Sequence, residues 1–186
     1  MINFFTSDLH FGHANVIGYS NRPFKNVEEM NETLIRNWNN RVKPEDTVFH
    51  AGDFCFKNSP GGKAGEGLIL KAKDYIQKLN GNIIFIRGNH DKNNSLKTII
   101  QSCTVQIAGM FIYINHYPDK YNPNADLNFC GHVHDKWKFK SIPHPNMGKN
   151  KLTLDIINIG CDQWGYMPRT FEEIYHAYRI WKKSQS

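Results

Sequence analysis

Five apolar runs of strand length recur along this chain, and each stops at a side chain able to hold a metal ion. Ile2 to Ser7 runs into Asp8, Thr47 to Ala51 into Asp53, Ile83 to Arg87 into Asn89, Met110 to Asn115 into His116, and Leu127 to Cys130 into His132. Short apolar runs bounded by turn residues read as buried strands. Whatever fold forms therefore carries oxygen and imidazole donors at the ends of its strands.

Helix patterns lie between the early runs. Val27, Met30, Leu34, Ile35 and Trp38 recur at helical spacing behind the cap candidate Asn26, with Glu29 three residues on. Leu68 to Leu79 predicts a second helix, Leu96 to Ser102 a weaker third, and Phe171 to Trp181 a fourth, opened by the capping box Thr170 to Glu173. The later segments, Thr104 to Ala108, Met110 to Asn115, Asp126 to Cys130, Trp137 to Ile142 and Leu152 to Ile159, read as strands with few helices between them. Together they predict a mixed α/β layered fold. Lys57 to Gly67 reads as a loop beside Asp53, a lid in concept, and it is no phosphate-binding Walker loop because Ala64 follows Gly62-Lys63.

With 186 residues, 40% of them hydrophobic, and no internal repeat or long linker, one domain over residues 1–186 is expected. Net charge is +6, a mild bias toward anions such as phosphorylated small molecules, nucleotides or nucleic acid. Four cysteines without a Cys-x-x-Cys pair suit a reducing, cytoplasmic setting. The longest apolar stretch, Ile107 to Ile114, is broken by Gly109 and falls far short of the roughly 20 residues of a membrane span, so no membrane partner is expected.

Asp8 and His10 sit two apart in an extended segment, where period 2 turns both to one face. With Asp53, Asn89, His116, His132 and His134 they form an oxygen and imidazole set that suits Mn²⁺, Fe, Zn²⁺ or Ni²⁺ better than Ca²⁺. His50, inside a strand, reads as a packed histidine; His144 and His176 read as solvated. Lys136-Trp137-Lys138-Phe139-Lys140 resembles a single-strand nucleic-acid motif. Strand alternation, with lysines on one face and aromatics on the other, explains it better as an edge strand.

The ordered series Asp8-Leu9-His10, Gly52-Asp53, Gly88-Asn89-His90-Asp91, His116 and Gly131-His132-Val133-His134 resembles the calcineurin-like metallophosphoesterases over residues 8–134. That resemblance implies a four-layer αββα sandwich with two divalent metal ions, Mn²⁺ foremost, at the strand ends. It assigns one ion to Asp8, His10, Asp53 and His134 and the other to Asp53, Asn89, His116 and His132, with Asp53 bridging. A hydroxide shared by such ions attacks phosphorus. His90 would lie near the leaving group as general acid, with Asp91 orienting it or capping the next helix. His13, an addition to the pattern, could touch substrate. Asn158 to Trp164 resembles the tail of a small bacterial and phage subgroup. The implied activity is phosphodiester hydrolysis, with phosphomonoester hydrolysis as runner-up and a non-catalytic metal- or partner-binding domain behind both.

Overall fold

Alternation along the first strand decides how the layers form: Phe4 and Phe5 are both buried, and in an extended chain they face opposite sides. The computed structural model describes residues 1–56, 70–92, 94–145 and 153–185. In chain order its elements are β1 (Asn3–Thr6), α1 (Ala14–Tyr19), α2 (Val27–Asn39), β2 (Thr47–His50), α3 (Ala72–Ile76), β3 (Asn82–Phe85), β4 (Ser102–Ile107), β5 (Met110–Asn115), β6 (Leu127–Cys130), β7 (Phe139–Pro143), β8 (Thr153–Asn158), β9 (Arg169–Thr170) and α4 (Phe171–Lys183).

They assemble into two sheets, ordered β3-β2-β1-β9 and β4-β5-β6-β8-β7. The pairs β1–β2, β2–β3, β5–β6 and β6–β8 are parallel, so several strands deliver their carboxyl ends to one side. Parallel neighbours need crossovers, supplied by α1 and α2 after β1 and by α3 after β2. Asn26 caps α2 by accepting from Glu29 N at 2.8 Å, and the buried stripe Val27, Met30, Leu34 and Trp38 packs with Phe4 and Val48. Each such side chain contributes about 1.5–3 kcal/mol by leaving water.

Phe5 faces the second sheet instead, stacking on Phe49 at 5.4 Å and meeting Phe129 edge-on at 5.3 Å. Ile112, Ile114, Leu127 and Ile157 complete this layer between the sheets. Helix α4 opens with the expected capping box and buries Phe171 and Ile174 there. It is pinned to β8 through Asp155, which accepts from Lys182 Nζ at 2.8 Å and Tyr178 Oη at 2.7 Å. Two sheets with helices packed against them match the fold class implied by the motifs. Among the described residues no helix is long and apolar enough to cross a membrane.

Several local expectations need correction. No helix forms from Leu96, because this stretch bonds to the segment after β3: Thr98 Oγ1 donates to Phe85 O at 2.8 Å, and Arg87 N donates to Ile100 O at 2.7 Å. Helix α3 is shorter than its pattern, whose first residues, like the loop Lys57 to Gly67, lie outside the described residues. Strand β7 is an edge strand, as read, but it starts at Phe139. Trp137 therefore joins an outer cluster with Cys130, Leu154 and Ile156, while Phe139 faces Trp181 at 5.4 Å. Lys138 lies over Trp164 at 3.8 Å. His144 is buried rather than solvated, and its Nε2 donates to Pro123 O at 3.0 Å.

His50 is packed, as read, and fully so. At 0% exposure it sits against Phe54 and Phe85, and neither ring nitrogen has a hydrogen-bond partner among the described residues. Burial pushes its pKa down to about 4 against the pull of the Asp91 and Asp53 charges. The unfolded chain thus takes a proton below about pH 6.5 that the folded chain refuses down to about pH 4, so stability falls as pH drops through that window. His50→Leu should flatten the loss, gaining on the order of 2 kcal/mol over the parent between pH 7.5 and pH 5 in denaturant unfolding. Parallel pH profiles for the two proteins would show that His50 carries no such linkage.

Candidate metal centre

The expected site residues meet at the carboxyl ends of the strands. Among the described residues three groups of metal-capable side chains form, each with its donor atoms within 4.8 Å of one another: Asp8, His10 and His134; Asp53, His116 and His132; and His10, His13 and His90. Asp53 Oδ2 links the first two, lying 3.5 Å from His10 Nε2 and 3.4 Å from His116 Nε2. Its other oxygen, Oδ1, accepts from His90 N at 2.9 Å.

The loops reach this arrangement through strained backbone. Of the eight non-glycine residues with positive φ among the described residues, five are Asp8 (58°), His10 (52°), Asp53 (56°), His132 (72°) and His134 (46°). Left-handed backbone outside glycine costs about 1–3 kcal/mol per residue, so the strain is concentrated where these donors are aimed. Gly52 turns with φ 98°, and a Cβ there would stand 2.6 Å from His116 Nδ1. At Gly88 a Cβ would strike Asp53 Oδ1.

Tautomers follow from fixed acceptors. Ala51 O can only accept, so His116 Nδ1–H donates to it at 2.8 Å and turns the Nε2 lone pair of the neutral ring toward the centre. There Nε2 meets two more acceptors, Asn89 Oδ1 at 3.0 Å and Asp53 Oδ2 at 3.4 Å, and His132 Nδ1 stands 3.0 Å from the same Asn89 oxygen. Lone pairs crowded this closely repel unless a proton or cation lies among them. His10 Nε2 is likewise buried without a hydrogen-bond partner among the described residues. The donor set thus fits divalent cations at both groups. Burial alone would lower the His116 pKa, but the Asp53 hydrogen bond and the Asp8 and Asp53 charges raise it to about 9. Burial works against ionising Asp53, which the His116 hydrogen bond and the His116 and His10 charges nevertheless hold below the usual carboxylate range.

A family description, calcineurin-like phosphoesterase, matches residues 4–184. The chain belongs to that family. A segment of 127 residues is 42% identical to an uncharacterized protein of the archaeon Methanocaldococcus jannaschii, covering 68% of this chain and 63% of that one. The Gene 66 protein of Mycobacterium phage L5 is 37% identical over 87 residues, 47% of this chain and 38% of its own. The chain therefore spans less than two thirds of these relatives. A protein of unknown function from Aquifex aeolicus shares the fold with a TM-score of 0.65 at 23% identity, over 95% of this chain and 98% of that one. Divalent ions, which this phosphoesterase family implies, agree with the donor groups present.

Asp91 departs from the role of orienting His90. Its Oδ2 accepts from Asp53 N at 2.8 Å and Gly88 N at 2.9 Å, and its Oδ1 from Phe54 N at 3.2 Å and Asn94 Nδ2 at 2.8 Å. No hydrogen bond joins it to the His90 ring among the described residues. It clamps the loop after β2 to the loop after β3. The His90 ring instead stands edge-on to His10 at 4.9 Å and 5.5 Å from His13, which stacks on Phe56 at 4.2 Å.

Motif reading missed Arg22 and the part played by Asp162. Asp162 Oδ2 accepts from His134 Nδ1 at 3.1 Å, leaving Nε2 of that ring free for a cation. Both Asp162 oxygens are also gripped by Arg22, from Nε at 2.8 Å and Nη2 at 3.0 Å. Arg22, only 4% exposed, further donates to Asp8 O at 2.7 Å and Leu9 O at 3.0 Å. One buried ion pair thus holds a histidine of one loop and the backbone of another. Carboxylates behind metal-binding histidines typically tune affinity 10- to 100-fold. Asp162→Asn should weaken Mn²⁺ binding by about that factor in equilibrium dialysis, whereas unchanged affinity would show that the His134 ring is positioned without it.

Proposed function

We propose that this protein is a two-metal phosphodiesterase. Asp8, His10, Asp53 and His134 would hold one divalent ion, and Asp53, Asn89, His116 and His132 the other, with Asp53 common to both through Oδ2. The observation that carries this reading is the convergence of His116 Nε2, Asn89 Oδ1 and Asp53 Oδ2, three metal-capable atoms at 3.0 to 3.4 Å. When bound, such ions neutralise phosphoryl oxygens and make water acidic enough to act as a nucleophile at neutral pH.

The chain's own side chains supply the rest. In an in-line displacement a water oxygen bonds to phosphorus, the bond from phosphorus to the departing alcohol oxygen breaks, and that oxygen takes a proton. His90, partly exposed beside His10 and His13, is the proposed donor of this proton. His13, on the Phe56 ring, is proposed to face the substrate on the same side. Asp91 acts by holding the Asp53 and Asn89 loops in register. Mn²⁺ is the proposed metal, with Fe, Zn²⁺ or Ni²⁺ as chemically suitable replacements for this donor set.

Turnover of a bis-aryl phosphodiester and its aryl phosphomonoester, with Mn²⁺, Ni²⁺ or chelator, tests the reading. Chelator-sensitive cleavage of the diester is expected. Preference for the monoester would move the protein to the phosphatases, and silence on both with two metals bound would favour a binding role. His90→Ala should keep both metals by elemental analysis while losing roughly a hundredfold or more in kcat; loss of metal instead would place His90 among the ligands. Asp53→Asn should empty both groups, and full occupancy with near-normal rate would remove its bridging role.

A further inference from the structure

Beside the proposed metal centre lies a cleft of about 220 Å³ whose lining includes Arg87, Gly88, Lys92, Gln101, Tyr117 and Lys120. Its three cations stand on the loops that carry the metal-binding candidates: Arg87 two residues before Asn89, Lys92 two after His90, Lys120 four after His116. None of them pairs with a carboxylate among the described residues. Arg87 is already oriented, since Nε donates to Thr98 O at 3.0 Å and Nη2 at 2.5 Å, while Nη1 has no such partner among the described residues. Lys120 Nζ sits 4.5 Å from the centroid of the Tyr117 ring. That ring is the wall shared with the metal centre, 4.9 Å from the His116 ring and 5.2 Å from the His132 ring.

Three cations without acidic partners among the described residues, gathered in a space too small for a folded partner, call for a compact anion. A guanidinium held at one edge and open at the other is suited to phosphate oxygens. We propose that this cleft is a subsite for a second phosphate of the substrate, so that the phosphoester cleaved at the metal centre belongs to a molecule with another phosphate close along its backbone. The inference rests on the phosphoesterase reading above and narrows its substrate class to oligonucleotides or nucleotides with more than one phosphate. Lys92 and Lys120 supply charge from flexible stems, and Arg87 supplies fixed geometry.

The test is a binding cycle on the metal-loaded protein with a labelled trithymidylate carrying hydrolysis-resistant phosphorothioate linkages, read by fluorescence anisotropy. The Lys92→Gln/Lys120→Gln double variant, checked for unchanged thermal unfolding because both side chains are exposed, should bind about tenfold or more weakly. The slope of log affinity against log salt should shrink by roughly 0.7 for each charge removed. A probe whose second linkage is an uncharged methylphosphonate should bind the parent as weakly as the variant binds the charged probe, and the variant should not distinguish the two probes. Unlabelled ADP displacing the probe from the parent better than unlabelled trithymidine diphosphate would assign the second phosphate to a nucleotide polyphosphate, and the reverse would assign it to a strand. Equal weakening of both probes by the double variant, or an unchanged affinity and salt slope, would overturn the subsite. Absence of diester turnover by a metal-loaded parent that still shows the cycle would overturn the hydrolase reading alone.

Discussion

The Asp91 carboxylate sits 4% exposed and accepts three backbone N–H groups and one side-chain amide, from residues on both sides of the sequence gap between Asp53 and Gly88. Backbone donors at the turns after parallel strands have no ladder partner, and an unpaired buried N–H costs about 1–3 kcal/mol. One anion answers three of them and thereby sets the distance between the loops after β2 and β3. Asp8 does the same between the sheets, accepting from His132 N at 3.1 and 3.0 Å with its two oxygens. The loops that carry Asp53, Asn89 and His132 are thus held by buried carboxylates bonded to their main chain.

That arrangement leaves the remaining polar atoms in conflict. Left-handed backbone at five candidate ligands, two carboxyl or amide oxygens and an imidazole nitrogen crowded within 3.0 to 3.4 Å, and a buried imidazole nitrogen without a hydrogen-bond partner among the described residues are each unfavourable in isolation. Bound cations would offset these costs, which would couple metal binding to local order. The buried Arg22–Asp162 pair belongs to the same balance. The cost of taking its charges out of water is offset by the hydrogen bonds that complete the pair, from His134 and to the Asp8 and Leu9 carbonyls.

Much of the site is legible in the chain because strand ends and glycine-flanked donors are local features. The runs into Asp8, Asp53, Asn89, His116 and His132 emerge from apolar pattern alone, and the structure brings those donors together. Roles that depend on partners far along the chain are not legible. Asp91 could be read as orienting its neighbour His90 or capping the next helix, yet its main-chain partners include Asp53 and Phe54 on another loop. Arg22 lies in a turn with no motif around it, and its carboxylate partner is Asp162. The Leu96 segment has a weak helical pattern, but Arg87 meets its Thr98 and Ile100 carbonyls from its side chain and its N–H, satisfying them in another conformation.

The amino-acid sequence by itself determined the strands β1 to β8 approximately, the capped helices α2 and α4 and the donor types at the strand ends, since each depends on periodicity or capping within a few residues. Only the tertiary structure decided which oxygen of Asp53 faces both histidines, which nitrogen each ring turns inward, and that Arg87, Lys92 and Lys120 line one cleft. The physical reason is that a donor's direction is set by its acceptor. Here the acceptors that matter, Ala51 O for His116 and Asp162 for His134, come from other turns of the fold.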